Sequence, residues 1–297
     1  MAVSPRAAGV ALAMTSAASF GVMPVLTKVV YDDGAGPIGV LSIRFSVAAL
    51  LLLGLARLRG EQLPRGRQLR DLALLGGVGY VVESLCYFSA LTRISAGLTA
   101  LLLYLYPALV VVLSAVLLRH RPAPVAIGAV IVATVGTALT IGPVAGGQTT
   151  GVLLGLAAAA SYAMYIVLSS TAIEGVGPLA TAAVVMAACG VVYDALAVAT
   201  RASLPSSLSA WTALAGVTVL GTVVAVAAFF GALALLGPAD TAVLSTVEPV
   251  VSVVVAALAL GETLSSVQIA GGALVIGAVV VLARSAPATE AVPFDAP

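Results

Sequence analysis

From residue 8 to residue 284 the chain alternates between apolar runs of about twenty residues and short breaks marked by Gly, Pro or charge. A run of about 20 apolar residues is what an α-helix needs to cross a bilayer. The breaks define ten such runs, at 8–30, 37–57, 71–92, 95–118, 123–142, 151–171, 178–199, 210–236, 240–260 and 265–284. The pattern predicts an all-α polytopic membrane protein of ten transmembrane helices. The remainder, "SAPATEAVPFDAP" (285–297), is predicted to be a disordered tail.

Composition agrees with the pattern. Of the 297 residues 61% are hydrophobic and 8% charged, where a soluble domain carries about 25% charged residues. The first run is too long for the core of a signal peptide and nine more follow, so it is read as an uncleaved first span. The formal net charge of +1 points to no nucleic-acid partner, and Cys86 and Cys189 are too few for a disulfide framework. Arginine greatly outnumbers lysine, which, with abundant Ala, Val and Gly, suggests a bacterial source. Placing the N-terminus in the cytoplasm puts Arg6, Arg57, Arg59, Arg65, Arg67, Arg70, Arg119, Arg121 and Arg284 inside, and leaves Lys28, Arg93 and Arg201 outside. Basic residues are retained on the cytoplasmic side. The expectation is therefore a bacterial inner-membrane protein with both termini, and the tail, in the cytoplasm.

A shift of 142 residues lays one half of the chain on the other. "YFSALTRISAGLTALLLYLYP" (87–107) meets "FFGALALLGPADTAVLSTVEP" (229–249), pairing Phe88 with Phe230, Thr99 with Thr241 and Pro107 with Pro249. The same shift pairs "AASF" (17–20) with "AASY" (159–162). Two five-span units follow, 1–142 and 143–284. Five is odd, so the second unit enters the membrane inverted relative to the first. Inverted repeats are the architecture of secondary transporters, with the substrate near the midplane between repeats.

Four ionisable residues lie well inside spans: Arg44, Glu83, Asp194 and Glu248. Each costs about 2.5–3.5 kcal/mol near the centre of a membrane helix, so each is a candidate for function. Thr241, Ser245, Glu248 and Ser252 fall on one helical face. Pro249 has no N–H for the carbonyl of Ser245, so a carboxylate stands beside a freed acceptor in mid-membrane. Such a group can take an ammonium ion or a proton; the alternative is a hydrogen-bonding group that stabilises the kink, paired with Arg44. Glu83 shares a face with Tyr80 and Tyr87. Arg44 is either a substrate anchor or the partner of Asp194 or Glu83, and Asp194 could reach interfacial water. Tyr165 lines a polar stripe of the sixth span. The expected substrate site is Glu248, Arg44, Glu83, Tyr80, Tyr87, Ser245, Tyr165 and Asp194, with Glu248 and Glu83 exchanging protons. Pro24, Pro107 and Pro249 are the expected hinges, the last two as repeat-related kinks.

Several stretches resemble the drug/metabolite transporter superfamily, in its ten-span EamA branch. They are "VMPVLTKVV" with Lys28, "SIRFSVAAL" with Arg44, "SYAMYIVLS", and above all "STVEPVVSVVVAALALGETLSSVQIAGGALVIGAVVVL". The resemblance implies efflux of small organic molecules or amino acids through a central cavity lined by spans other than the fifth and tenth. The first unit departs from it: where the ninth span ends in "LGET", the fourth ends in "LRHR", so nothing matches Glu262. Glu83 belongs to no motif of that family. The combined expectation is a proton-coupled exporter of amino-acid-like, amine or amphipathic drug-like compounds that uses no cofactor or metal. A membrane channel or a non-transporting scaffold is the alternative. The lipid bilayer and a small-molecule substrate are the expected partners, with a second copy of the chain left open. An enzyme is disfavoured because G-x-S-x-G, H-E-x-x-H and a paired intramembrane aspartate are all missing.

Overall fold

The computed structural model describes residues 4–117, 124–141, 148–169, 176–245 and 247–285. The predicted tail beyond Ser285 lies outside the described residues. The elements are α1 (Pro5–Asp32), α2 (Pro37–Leu58), α3 (Gly66–Leu74), a π-helical segment (Leu75–Tyr80), α4 (Val81–Ala90), α5 (Ala96–Leu103) and α6 (Tyr106–Leu117). They continue as α7 (Pro124–Ile141), α8 (Thr149–Ser169), α9 (Pro178–Thr200), α10 (Leu208–Thr218), a second π-helical segment (Val219–Val224), α11 (Ala225–Ser245), α12 (Val247–Leu260) and α13 (Ser266–Ser285). Among the described residues, seven helical stretches are long and apolar enough to cross a membrane, and three shorter apolar helices complete the ten.

Local chemistry sets the helix ends. Ser4, Ser95 and Ser207 accept hydrogen bonds from Ala7, Leu98 and Ala210 as N-caps. Pro5, Pro37 and Pro178 occupy the first helical turn, where a missing N–H costs nothing. Ser265 and Gln268 form the reciprocal capping box that the sequence predicts at the start of the last span. Gly34, Gly60 and Gly261 take positive φ values after α1, α2 and α12, where a side chain would be strained.

The paired helices establish how the units are related. α2 and α9 correspond under the 142-residue shift. The Gly36 amide donates to Ser203, Ser46 packs on Gly190, and Glu61 accepts from the Ala180 amide. Early residues of α2 thus meet late residues of α9, so equivalent helices run antiparallel. α7 and α13, also equivalent, do the same, with Val125 level with Val281 and Gly136 level with Gly271. This is the relation that inverted repeats require.

α11 differs from expectation. The sequence predicts a break near 237–239, yet helical backbone runs from Ala225 to Ser245. The direction of the chain nevertheless reverses within it. Gly216, Gly221, Gly231 and Gly9 place the run up to Leu236 antiparallel to α1, against Leu26, Met23, Leu12 and Leu236 respectively. Beyond it, Ser252 donates to the Gly21 carbonyl at 2.9 Å, and Glu248 and Val251 also meet Gly21. The eighth and ninth spans are therefore separate crossings.

The connections at one end of the bundle are tied together. Asp33, after α1, accepts hydrogen bonds from the Ser206 amide at 2.5 Å and hydroxyl at 3.1 Å and from the Ser207 amide at 3.1 Å. Hydrogen bonds from Ser207 and Ser206 hold its carboxyl down to about 2. A depressed carboxyl contributes stability above its ordinary range and loses it as pH falls through the folded value. Amide exchange in the 202–207 connection is therefore expected to be slower in wild type than in Asp33→Asn above about pH 4. The difference should fade as the pH approaches about 2.

Candidate functional site

Two π-helical turns build the interior. They interrupt the third and eighth spans at nearly equivalent positions, and π-turns inside helices are frequent at functional sites. The first, "LGGVGY", is rich in glycine because it packs on backbone. A Cβ on Gly76 would come within 2.7 Å of the Val185 carbonyl oxygen and 2.9 Å of its Cα, and Gly79 lies against Tyr165. The Cys189 thiol donates to the Gly76 carbonyl at 3.2 Å, and the Tyr193 hydroxyl to the Val81 carbonyl at 2.8 Å. Ser84 donates to the Tyr80 carbonyl at 2.6 Å. These bonds hold the turn that carries Tyr80 and Glu83. Gly76→Val is expected to cost about 1–3 kcal/mol by overpacking, and melting of the purified variant checks this.

The second π-turn holds Arg44. Its Nε donates at 2.9 Å to Thr222 Oγ1, and that hydroxyl donates to the Val217 carbonyl five residues back. The guanidinium carbon lies 4.9 Å from the ring centroids of both Phe45 and Phe88. Arg44 is 3% exposed and Glu83 7%. They are within electrostatic reach of each other, but among the described residues no carboxylate oxygen lies within 4 Å of Arg44, and no hydrogen bond or ion pair reaches the Glu83 carboxyl. A buried ionisable group without an ion-pair partner is costly to keep charged, and two such groups stand side by side here.

A run of tyrosine rings connects this pair to Glu248. Tyr80 meets Tyr165 at 5.4 Å and Tyr162 at 6.4 Å between centroids. Tyr162 meets Tyr106 at 4.7 Å, and Tyr106 meets Tyr104 at 5.9 Å. The Tyr104 hydroxyl then lies 2.6 Å from the Ser245 carbonyl oxygen and 3.0 Å from Glu248 Oε2. Tyr80, Tyr106, Tyr162, Tyr165 and Glu248 lie deep among protein atoms yet are only partly buried.

The expected site residues separate accordingly. Glu248, Glu83, Arg44, Tyr80 and Tyr165 belong to this group. Tyr87 is buried beside Phe88, within electrostatic reach of both acids. The Ser245 hydroxyl is engaged by its own helix, donating to Thr241, and its carbonyl takes the site contact. Asp194 is not brought in. It is exposed on α9 and accepts from Ser42 and, at 2.8 Å, from Ser46 of α2, so it does not pair with Arg44. Of the expected hinges, Pro107 lies just after the break between α5 and α6, and Pro249 in the first turn of α12. α1 passes through Pro24 without interruption. Sequence reasoning missed Tyr104, Tyr106, Tyr162 and Thr222. Among the described residues no group of three His, Cys, Asp or Glu could hold a metal.

The EamA-like transporter family matches the chain twice, over residues 7–142 and 149–284, offset by the same 142 residues as the internal shift. The uncharacterized transporter YcbK of Bacillus subtilis (strain 168) is 26% identical over 282 residues, covering 91% of this chain and 90% of that protein. A solved crystal structure is similar with a TM-score of 0.63 at 20% identity, over 92% of this chain and 95% of its own, which shows the fold alone. Matched across both of its halves, the chain belongs to the EamA-like transporter family, within the drug/metabolite transporter superfamily.

Proposed function

We propose that the protein is a secondary-active, proton-coupled exporter of amine-bearing small molecules, amino-acid-like or amphipathic and drug-like. The observation that carries this reading is the aromatic run with a carboxyl group at each end, Glu83 and Glu248, and Arg44 beside the first. Aromatic faces and carboxylates together suit an organic cation. With Asp194 outside, the group holds two acids and one base, a poor match for phosphates or sugar nucleotides, which need several basic groups. Arg44 meets a substrate carboxylate where there is one, and Glu248, with Glu83, exchanges a proton for the amine.

Purified protein in liposomes provides the test. Uptake of a hydrophobic amine or an aromatic amino acid against a proton gradient, with counterflow by unlabelled substrate, is expected. Gradient-independent leak, or counterflow of sugar phosphates in preference to amines, overturns the reading. The proposed setting is the bacterial inner membrane, with residues 1–142 and 143–284 as the two repeats and both termini cytoplasmic. A periplasm-active reporter fused after residue 146 should be active, and one fused at residue 297 silent.

A further inference from the structure

The contact between Tyr104 and Ser245 has a place in the symmetry of the fold. Position 104 corresponds to position 246 under the 142-residue shift. Tyr104 therefore touches the neighbour of its own repeat equivalent, which places it close to the pseudo-two-fold axis. It begins the break between α5 and α6, and Ser245 carries the carbonyl that Pro249 leaves without a helical donor in the ninth span. The break and the proline-loosened turn meet through this one phenol.

The phenol has one proton and two acceptors. The Ser245 carbonyl has no helical donor, because residue 249 is proline, and it lies 2.6 Å from the hydroxyl oxygen. Glu248 Oε2 lies 3.0 Å from the same oxygen. An ionised Glu248 competes for the proton as a charged acceptor. Once Glu248 takes up a proton from solution, the phenol donates wholly to Ser245, and its oxygen is free to accept from the carboxyl O–H. Each protonation state thus selects a different bond between the α5–α6 break and the proline-loosened turn of the ninth span. Tyr106 and Tyr87 also lie within electrostatic reach of Glu248, and the α1 residue against it is Gly21, which does not titrate.

We propose that Tyr104 is a positioning residue that passes the protonation state of Glu248 to the α5–α6 break of the fourth span and the proline-loosened turn of the ninth. This rests on Glu248 as the proton-exchanging group, and deepens it by naming the link from proton to helix movement.

The experiment needs no substrate. Bioorthogonal spin labels at Val112 on α6 and Val254 on α12, both exposed, report the distance between the two helices at acid and alkaline pH. Infrared difference spectra report the Glu248 carboxyl band, assigned by its loss in Glu248→Gln. Wild type is expected to show a pH-dependent distance change that follows this band. In Tyr104→Phe the band is expected to remain with a displaced midpoint while the distance change disappears. Gradient-driven flux should fall about tenfold or more, the scale of a misplaced reacting group. Pro249→Ala gives Ser245 an amide donor and should uncouple the distance from the band even if Tyr104→Phe folds poorly. A distance change that still follows the band as in wild type in both variants overturns the proposal. The proton-coupling reading fails separately, if Glu248→Gln retains gradient-driven flux.

Discussion

Glu248→Gln is expected to reduce proton-driven transport to background while leaving insertion and folding intact. The amide keeps the size and planarity of the carboxyl group, and its oxygen can still accept from the Tyr104 hydroxyl, now at 3.0 Å from Oε2. Packing of the first turn of α12 against Gly21 is made by backbone and by Val251, which the substitution does not touch. Titration is what it removes. A carrier that trades a proton for an ammonium group needs an acid that holds one or the other, and the amide holds neither. Substrate counterflow without a gradient should weaken with it, because the amine loses its countercharge. Melting in detergent within about 2–4 °C of wild type, the shift that 1 kcal/mol brings in a chain of 150–250 residues, would separate loss of chemistry from loss of fold. Wild-type gradient-driven flux would remove Glu248 from the mechanism. Joint loss of folding and flux would make it a hydrogen-bonding group of the kink.

The sequence reaches a good part of this site for a definable reason. A glutamate followed by proline inside an apolar run says both that a charge is buried and that a carbonyl four residues before the proline is free, and both consequences are seen at Ser245 and Glu248. The group that answers that carbonyl lies 141 residues away, on Tyr104, whose surroundings "LLLYLYP" look like ordinary apolar helix. Tyr162 and Tyr106 are hidden in the same way. The π-turns leave a trace in "LGGVG", but glycines in a membrane helix more often signal close packing, and Gly76 shows that both readings hold at once. Arg44 illustrates a harder limit. Nothing in "SIRFSVAAL" says that its partner is a threonine on a distorted turn of the eighth span. Depth along its helix groups Asp194 with the buried charges. Depth does not give the face, and Ser42 and Ser46, one turn apart on α2, hold it outside the group.

The "LGET" that ends the ninth span, part of the stretch with the strongest family resemblance, has a structural explanation that yields the second large effect. Gly261 takes φ 65 after α12, so the chain turns and Glu262 reaches across to α5. The N-cap Ser95 serves the Leu98 amide, leaving the amides of Ala96 and Gly97 as orphan donors of the first turn. Glu262 accepts both, at 2.8 Å through Oε1 and 3.1 Å through Oε2. The helix dipole favours an anion there. Lys28, at the end of α1, donates to the Ile94 carbonyl at 2.7 Å, within electrostatic reach of the same carboxylate. Spans one, three, four and nine are joined at this point, and all four contribute residues at or near the tyrosine-lined interior. Glu262→Ala strands two amides, each worth about 1–3 kcal/mol when its acceptor is lost. Because the cluster is half-buried, about 2 kcal/mol in total is expected, or a fall in melting temperature of about 3 °C at this chain's length. Glu262→Gln retains one acceptor oxygen and should fall between. Flux per folded molecule, measured well below the melting transition, should stay near wild type, because the carboxylate holds a helix end and does not face the Glu83–Glu248 group. A Glu262→Ala protein that melts like wild type would show that Ser95 alone caps the helix. One that melts earlier and also loses flux at low temperature would make the cluster part of the moving machinery.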